Sequence, residues 1–269
     1  VAGTVAIELA VVPYNALLGH IAPPGQIGRW SGWGFALGYA GGLGCLVVAL
    51  LAFVQPQFPH PDDAAHVRAT FALAAVWMGV FALPLLCARG VDVPGSGVRT
   101  ANALRTLART ARALPRFPGL VRFLLARMLY TDGVATVFAF GGVYAAGTFG
   151  MDTGQVLMLG IVLNISAGLG AFVLAPLDDR LGSRRTVVWA LCGLIGSGAM
   201  LLVVSEVWQF VAAAAVLGAL VGPVQSASRS LMTHLSPAPL RGQLFGLYTF
   251  SGKATAFAGP ALVGALTAW

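Results

Sequence analysis

Four ionisable residues lie inside long apolar stretches of the chain: Glu8, Arg127, Asp132 and Lys253. A charge at the centre of a bilayer costs about 2.5–3.5 kcal/mol on insertion scales, so each of these side chains needs a partner or a water-filled cavity. Charged groups in such a cavity bind the charged groups of a small polar molecule, and a carboxylate there can take up and release a proton. The four residues are therefore the first candidates for a functional site.

Each candidate has an alternative interpretation. Arg127 follows Arg122 by only five residues, which favours a side chain that reaches back to the polar boundary of the membrane. Asp132 and Lys253 lie roughly ten residues deep in spans of about 20 residues, too far for such an escape. For Glu8, Asp132 and Lys253 the alternative to a functional site is a structural salt bridge between helices.

Uncharged polar residues in the same stretches are candidates for the lining of a cavity. Asn15 lies seven residues after Glu8, which places both side chains on one face of a helix. Further candidates are Tyr130, Asn164, Gln225 and, at the end of its stretch, Arg229. For each of them a hydrogen bond between helices is the alternative interpretation.

The sequence lacks the motifs of the main enzymes that work inside membranes. It contains no His-Glu-x-x-His pair and no Gly-x-Gly-Asp turn to supply a second carboxylate beside Asp132. It also has no phosphate-binding Gly-x-x-x-x-Gly-Lys-[Ser/Thr] loop, so nothing in the sequence predicts ATP-driven pumping. The four histidines and three cysteines show no spacing typical of metal ligands. We therefore expect no enzyme activity, no metal and no cofactor.

The elements that must position these residues are membrane-spanning helices. Hydrophobic residues make up 58% of the chain and charged residues 9%, against about a quarter charged in soluble domains. A span needs about 20 predominantly apolar residues. Eight stretches of suitable length predict an all-α membrane protein: 1–19, 30–54, 68–88, 120–147, 154–177, 186–204, 207–228 and 243–267.

Two distant segments repeat each other. Residues Asn15 to Pro23 match Arg229 to Pro237 at an offset of 214 residues, and glycines continue the register without a gap. A parallel repeat between apolar segments is typical of transporters built as two like halves. Pairing the spans at this offset predicts a twelve-helix parent in which the eight spans are helices 4 to 11. We expect three further helices before residue 1 and one after residue 269.

Basic residues concentrate in alternate loops, which orients the spans. Positive loops face the cytoplasm, so the net charge of +7 indicates topology and gives no reason to expect a nucleic acid as a partner. The basic loops carry Arg29; Arg89 to Arg122; Arg180, Arg184 and Arg185; and Arg229 with Arg241. The other loops carry Asp62, Asp63, Asp152 and Glu206, with Arg68 as their one basic residue.

The longest basic loop divides the chain. The predicted domains are residues 1–88, which form the last part of the first half, the loop 89–119, and residues 120–269, which form the second half without its last helix. Within the loop, Leu104, Leu107, Ala111 and Leu114 recur at helical spacing beside a row of arginines. This pattern predicts an amphipathic helix on an anionic membrane surface; the alternative is a solvated tether.

One loop carries a recognisable motif. The segment from Leu177 to Arg185 reads LDDRLGSRR and resembles the G-x-L-A-D-R-x-G-R-R signature of the major facilitator superfamily. It departs from that signature at Ala175, Asp178 and Ser183. The six-plus-six layout with a basic central loop is also similar to that superfamily.

The resemblance implies a cytoplasmic gate. In the superfamily the signature aspartate lies against the start of a helix in the other half, where the helix dipole stabilises a carboxylate. This implies a gating role for Asp179 against the helix that begins near Arg29. The matching motif residues Arg180, Gly182 and Arg184 complete the predicted gate, with the two arginines as local partners of the aspartate.

Four shorter segments resemble the vacuole-effluxer-like branch, which includes the fungal autophagy-related permease that exports amino acids from the vacuole. They read YNALL from Tyr14, GYAGG from Gly38, YTDG from Tyr130 and SGKAT from Ser251. The resemblance implies a secondary transporter that works by alternating access. Efflux of an amphipathic compound and a non-transporting membrane scaffold are the alternatives.

The expected solute is small and polar, with an amino acid as the first choice. Asp132 and Lys253 offer an anion for its ammonium group and a cation for its carboxylate, and Glu8 or Asp132 is the candidate carrier of a coupling proton. The expected partners are therefore the lipid bilayer, the solute and a proton, with the protein as a monomer. Fifteen of the sixteen basic residues are arginine, which suggests a GC-rich bacterial source and an inner-membrane location.

Overall fold

The computed structural model describes residues 2–54, 65–88 and 103–267. All regular secondary structure in these ranges is helical, which confirms the predicted all-α fold. The helices are α1 (Ala2–Ile21), α2 (Ile27–Ala49), α3 (Ala65–Cys87), α4 (Ala103–Ala113), α5 (Pro118–Phe149), α6 (Thr153–Leu181), α7 (Ser183–Leu201), α8 (Val207–Leu235), α9 (Arg241–Ala254) and α10 (Ala258–Thr267). The loop with Asp62 and Asp63, and residues 89–102 of the central loop, lie outside the described residues.

Among the described helices, five are long and apolar enough to cross a bilayer: 27–52, 68–87, 118–149, 153–181 and 207–235. Their outer surfaces are apolar. Leu37 is 73% exposed, Leu86 77% and Leu129 75%, and exposed apolar surface of this extent belongs in lipid. The chain is a multi-pass integral membrane protein.

The last predicted span, 243–267, is wrong as a single helix. The structure breaks it into α9 and α10 at the turn over residues 255–257. Pro260 lies in the first turn of α10. In a continuous helix its ring would clash with the carbonyl of Ala256 and it would donate no hydrogen bond to that oxygen, whereas in a first turn the missing N–H is not needed.

Helices α6 and α8 pack backbone to backbone through glycines. A Cβ on Gly170 would lie 1.8 Å from the carbonyl oxygen of Ala219, and a Cβ on Gly222 would lie 2.1 Å from that of Ala167. Any side chain at these positions would hold the helices apart, which is why small residues line helix contacts in membranes. Helix α7 packs on α8, while α5 contacts α9 and α10.

The helices form two groups that pack against each other. The N-terminal group is α1 to α3 and the C-terminal group is α5 to α10; α2 packs on α6 and α8, and α1 packs on α9. Arg29 lies in the first turn of α2, while Arg180, Arg184 and Arg185 surround the turn from α6 to α7. We call this end of the bundle the basic end.

Helix α4 is the helical part of the central loop, where the amphipathic pattern predicts a helix. Arg105, Arg109 and Arg112 are exposed on it. On another face Thr110 is buried and its hydroxyl bonds to the side chain of Gln243 in α9. The helix therefore docks on the C-terminal group at the basic end, and its contact with anionic lipid stays a prediction.

Candidate functional site

Asp179 caps a helix of the other group. Its carboxylate accepts hydrogen bonds from the backbone N–H groups of Gly28 at 2.7 Å and Arg29 at 3.1 Å. Helix α2 begins after Gln26, whose own side chain provides no cap, so the orphan N–H groups of its first turn are satisfied from α6. The carboxylate lies at the helix start that the sequence predicts as its partner, and its gating role stays a prediction.

The local partners expected for Asp179 are different in the structure. In the described part of the chain its ion-pair partner is Arg29, with 3.7 Å between Nε and Oδ2, whereas Arg180 and Arg184 are exposed. Gly182 has a φ of 86° and makes the turn from α6 to α7, a conformation that favours glycine. The two arginines are exposed, whereas the aspartate turns toward α2.

The groups approach closely beside this cap. A Cβ on Gly32 would lie 2.4 Å from Cβ of Ala175 and 2.6 Å from the carbonyl oxygen of Ala171. Gly28 likewise lies against the side chain of Asp178, which is 3% exposed. The basic end is therefore closed by backbone-level contact between α2 and α6.

A second meeting of the groups lies deeper in the bundle. Nζ of Lys253 in α9 is 2.8 Å from Oε1 of Glu8 in α1, and the two side chains are 64% and 34% exposed. Glu8 lies thirteen residues before the end of α1 at Ile21, which at 1.5 Å per residue is about 20 Å from the basic end. The sequence analysis joins Lys253 with Asp132 around a zwitterion, whereas in the structure the ion-pair partner of Lys253 is Glu8.

Arg127 does not reach back to the membrane boundary. Its Nη1 donates to the carbonyl oxygen of Tyr248 at 2.6 Å and to Oγ of Ser251 at 3.1 Å, and its Cζ lies 3.6 Å from the centroid of the Tyr248 ring. A Cβ on Gly252 would lie 2.5 Å from Nη1, so the missing side chain makes room for the guanidinium. Hydrogen-bond acceptors on α9 and the face of an aromatic ring stabilise the Arg127 guanidinium where it lies, so the side chain does not need to extend to the membrane boundary.

Asp132 has no countercharge in the described part of the chain. Its Oδ1 is buried and accepts no hydrogen bond there, while Thr136 bonds to its backbone oxygen. The carboxyl group faces α10, where a Cβ on Gly259 would lie 3.1 Å from Oδ2. An unpaired carboxyl group at this depth stays a candidate for proton or solute binding.

The uncharged candidates mainly connect helices. Tyr130 and Ser228 share a hydrogen bond of 2.6 Å between α5 and α8. Gln225 accepts a hydrogen bond of 3.2 Å from Tyr39 of the N-terminal group. Asn164 donates within its own helix, to the carbonyl oxygen of Gly160.

Asn15 and Arg229 are buried together. Asn15 is 8% exposed and accepts a hydrogen bond from the guanidinium of Arg229. Arg229, which the sequence offers only as a loop-flanking charge or cavity-lining residue, is 5% exposed. No group of three or more His, Cys, Asp or Glu side chains capable of holding a metal occurs among the described residues.

Residues 26–268 match the sequence profile of the family described as "Vacuole effluxer Atg22 like". The chain belongs to the Atg22-like vacuole effluxer family. It is 24% identical to the "Uncharacterized MFS-type transporter YxiO" of Bacillus subtilis, over 94% of this chain and 60% of that protein. It is also 24% identical to "Autophagy-related protein 22-1" of Penicillium rubens and "Autophagy-related protein 22" of Coccidioides immitis, over 89% of this chain and 44% of each of them.

The chain spans between 44% and 60% of the length of these relatives. These relatives include a bacterial protein and two fungal proteins. Membership of the family therefore does not by itself identify the membrane in which the chain resides. Membership agrees with the all-α, multi-pass architecture described above.

Proposed function

We propose that the protein carrying this chain is a secondary transporter of small zwitterionic solutes, amino acids first, and that it works by alternating access. The observation that carries the proposal is the ion pair between Glu8 and Lys253. It joins the two groups of helices, lies about 20 Å from the basic end and is partly exposed. A site shared between two moving halves near the midplane is the usual arrangement in secondary transporters.

The chemistry of this pair suits a zwitterion. A bound amino acid can offer its ammonium group to Glu8 and its carboxylate to Lys253, so that two ion pairs replace one. The exchange separates the two side chains and so links solute binding to the distance between α1 and α9. The packing of the two groups at the basic end supports a state closed on that side, which the positive-inside rule assigns to the cytoplasm.

Proton coupling and location complete the proposal. Asp132, with its buried and unpaired Oδ1, is the first candidate for a coupling proton, and Glu8 is the second. The arginine-rich composition supports a bacterial inner membrane as the location. The resemblance of four short segments to the fungal autophagy-related permease makes amino acids the first solutes to test.

Efflux of an amphipathic compound is the second candidate function. A cleft of about 460 Å³ opens between α2 and α6, and its walls include Trp33, Leu37 and Phe172. Its lining is almost entirely apolar, so it suits a hydrocarbon or aromatic group better than a charged one. The zwitterion remains the better match to the ion pair.

Uptake into proteoliposomes distinguishes the two functions. The reconstituted protein is tested with a panel of radiolabelled amino acids, with and without a pH gradient, and with unlabelled competitors lacking the ammonium or the carboxylate charge. We expect uptake of at least one amino acid, with competition by other zwitterions and little by its amide or N-acetyl form. Competition by apolar compounds alone would favour amphipathic efflux, and absence of any uptake would contradict the proposal.

A further inference from the structure

We propose that Arg229 is the latch that holds the two groups of helices together at the basic end. This proposal rests on the proposed transport by alternating access and goes beyond the Asp179 motif. Arg229 belongs to α8 of the C-terminal group and lies six residues before its end at Leu235. Its side chain is aimed into the N-terminal group.

The guanidinium of Arg229 donates hydrogen bonds to residues of the N-terminal group. Nε donates to Oγ of Ser31 at 3.0 Å, Nη2 to the carbonyl oxygen of Ser31 at 2.8 Å, and Nη1 to Oδ1 of Asn15 at 3.4 Å. Its Cζ lies 4.8 Å from the ring centroid of Phe35 and 5.7 Å from that of Tyr14. Every one of these partners belongs to α1 or α2, so parting the groups breaks all of the contacts at once.

The acceptors are neutral. In the described part of the chain no carboxylate lies within ion-pair distance of Arg229, and Ser31 in turn donates to the carbonyl oxygen of Ser226 at 2.7 Å. Taking water away from a cation is costly unless polar groups replace it. In the closed state carbonyl, hydroxyl and amide dipoles solvate the guanidinium, and after opening water can solvate it. Such a contact is specific and still reversible.

The internal repeat explains why the latch is built from these two side chains. Asn15 and Arg229 are repeat mates at the offset of 214 residues. A two-fold axis brings equivalent positions together, and two arginines there would repel each other. The unlike pair provides a donor and an acceptor. The repeat mate of Ser31 is Phe245, whose side chain accepts no hydrogen bond. The repeat therefore provides no second, symmetry-related copy of the contact between Arg229 and Ser31.

Two single-cysteine reporters test the proposal in proteoliposomes, in a protein whose Cys45, Cys87 and Cys192 are replaced by alanine. Ala16→Cys lies at the basic end, where Ala16 is 2% exposed between α1 and α9. Gly141→Cys lies toward the other end of α5, at a position with open space beside it. Membrane-impermeant maleimide, applied to either side in separate experiments, measures the labelling rate.

We expect Arg229→Gln to raise labelling of Ala16→Cys about tenfold, because it removes charged hydrogen bonds that hold the closed state; a tenfold change corresponds to about 1.4 kcal/mol. Labelling of Gly141→Cys should fall, because opening one end closes the other. Arg229→Lys should give a labelling rate of Ala16→Cys between those of Arg229→Gln and the unsubstituted protein. A single ammonium group cannot bond to both Ser31 and Asn15 as the forked guanidinium does. Arg122→Gln, which removes an exposed arginine, is the matched control and should change neither rate.

Other outcomes would overturn the latch. Unchanged labelling at both reporters would show that Arg229 does not hold the closed state. Faster labelling of both reporters in Arg229→Gln, with a lower melting temperature, would show that Arg229 only stabilises the fold. In that case the milder change Ser31→Ala should also speed labelling of both reporters, instead of speeding it at Ala16→Cys and slowing it at Gly141→Cys. Uptake by the unsubstituted protein separates the proposals, because its absence contradicts transport whereas normal uptake with silent reporters contradicts only the latch.

Discussion

A single methyl group at the interface between the groups should move the protein from the closed to the open state. Gly32→Ala would place a Cβ 2.4 Å from Cβ of Ala175 and 2.6 Å from the carbonyl oxygen of Ala171. Both neighbours belong to α6, and the oxygen is backbone, so neither can turn away as a flexible side chain does. The two helices must separate by about an ångström or more to restore an ordinary contact of about 3.5 Å.

The size of the effect follows from the cost of overpacking, about 1–3 kcal/mol. Gly32 and its neighbours touch across the interface, so this cost falls on the closed state and is relieved when the groups part. A shift of 1–3 kcal/mol corresponds to about a 5- to 150-fold change in the equilibrium between the two states. Gly222→Ala is the matched control, because its Cβ would meet the carbonyl oxygen of Ala167 at 2.1 Å within the C-terminal group.

The assay combines labelling and melting. Gly32→Ala should speed maleimide labelling of Ala16→Cys from the basic side while the melting temperature changes little. Gly222→Ala should lower the melting temperature, since its clash persists in both states. If Gly32→Ala lowered the melting temperature as much as Gly222→Ala and left labelling unchanged, the contact between α2 and α6 would belong to the permanent fold and not to a gate.

Further expectations concern the charged residues. Asp179→Asn should raise labelling at the basic end several-fold and leave solute affinity unchanged, because it weakens a helix cap far from the midplane. Asp132→Asn should abolish uptake in a protein that still folds, and adding Lys253→Gln should not restore it, since the two side chains are not a pair; restored uptake would contradict this. Arg127→Gln should lower the melting temperature by a few degrees through the loss of charged hydrogen bonds, whereas Arg122→Gln should not.

The helices were largely predictable because a bilayer imposes length and hydropathy on every span. The predicted span 120–147 is α5 over Pro118–Phe149, and 207–228 lies within α8. The break between α9 and α10 was missed because hydropathy does not register an interruption. The available signal was Gly259 followed by Pro260, which disfavours a helix running through that point.

The pairing of side chains was less predictable, since it depends on how helices are rotated and packed. The hydropathy pattern placed Glu8, Asp132 and Lys253 deep in apolar stretches, but nothing in the spacing selected Glu8 over Asp132 as the partner of Lys253. In the sequence, the positive-inside pattern was enough to explain Arg229 as one of the basic residues of a cytoplasmic loop, so its burial was not predicted. Its burial follows from the close approach at Gly32 and from Ser31, which only the fold brings to it.

The most direct test of the central claim is solute binding by Glu8→Gln, Lys253→Gln and the double variant. Affinity for the best-transported amino acid is measured by equilibrium binding to the purified protein, with melting temperature as the check on folding. If the pair binds the two charged groups of a zwitterion, each single variant should weaken binding at least about tenfold and the double variant should bind no better than either. Wild-type affinity in the double variant would contradict the account and leave Glu8 and Lys253 as a structural ion pair.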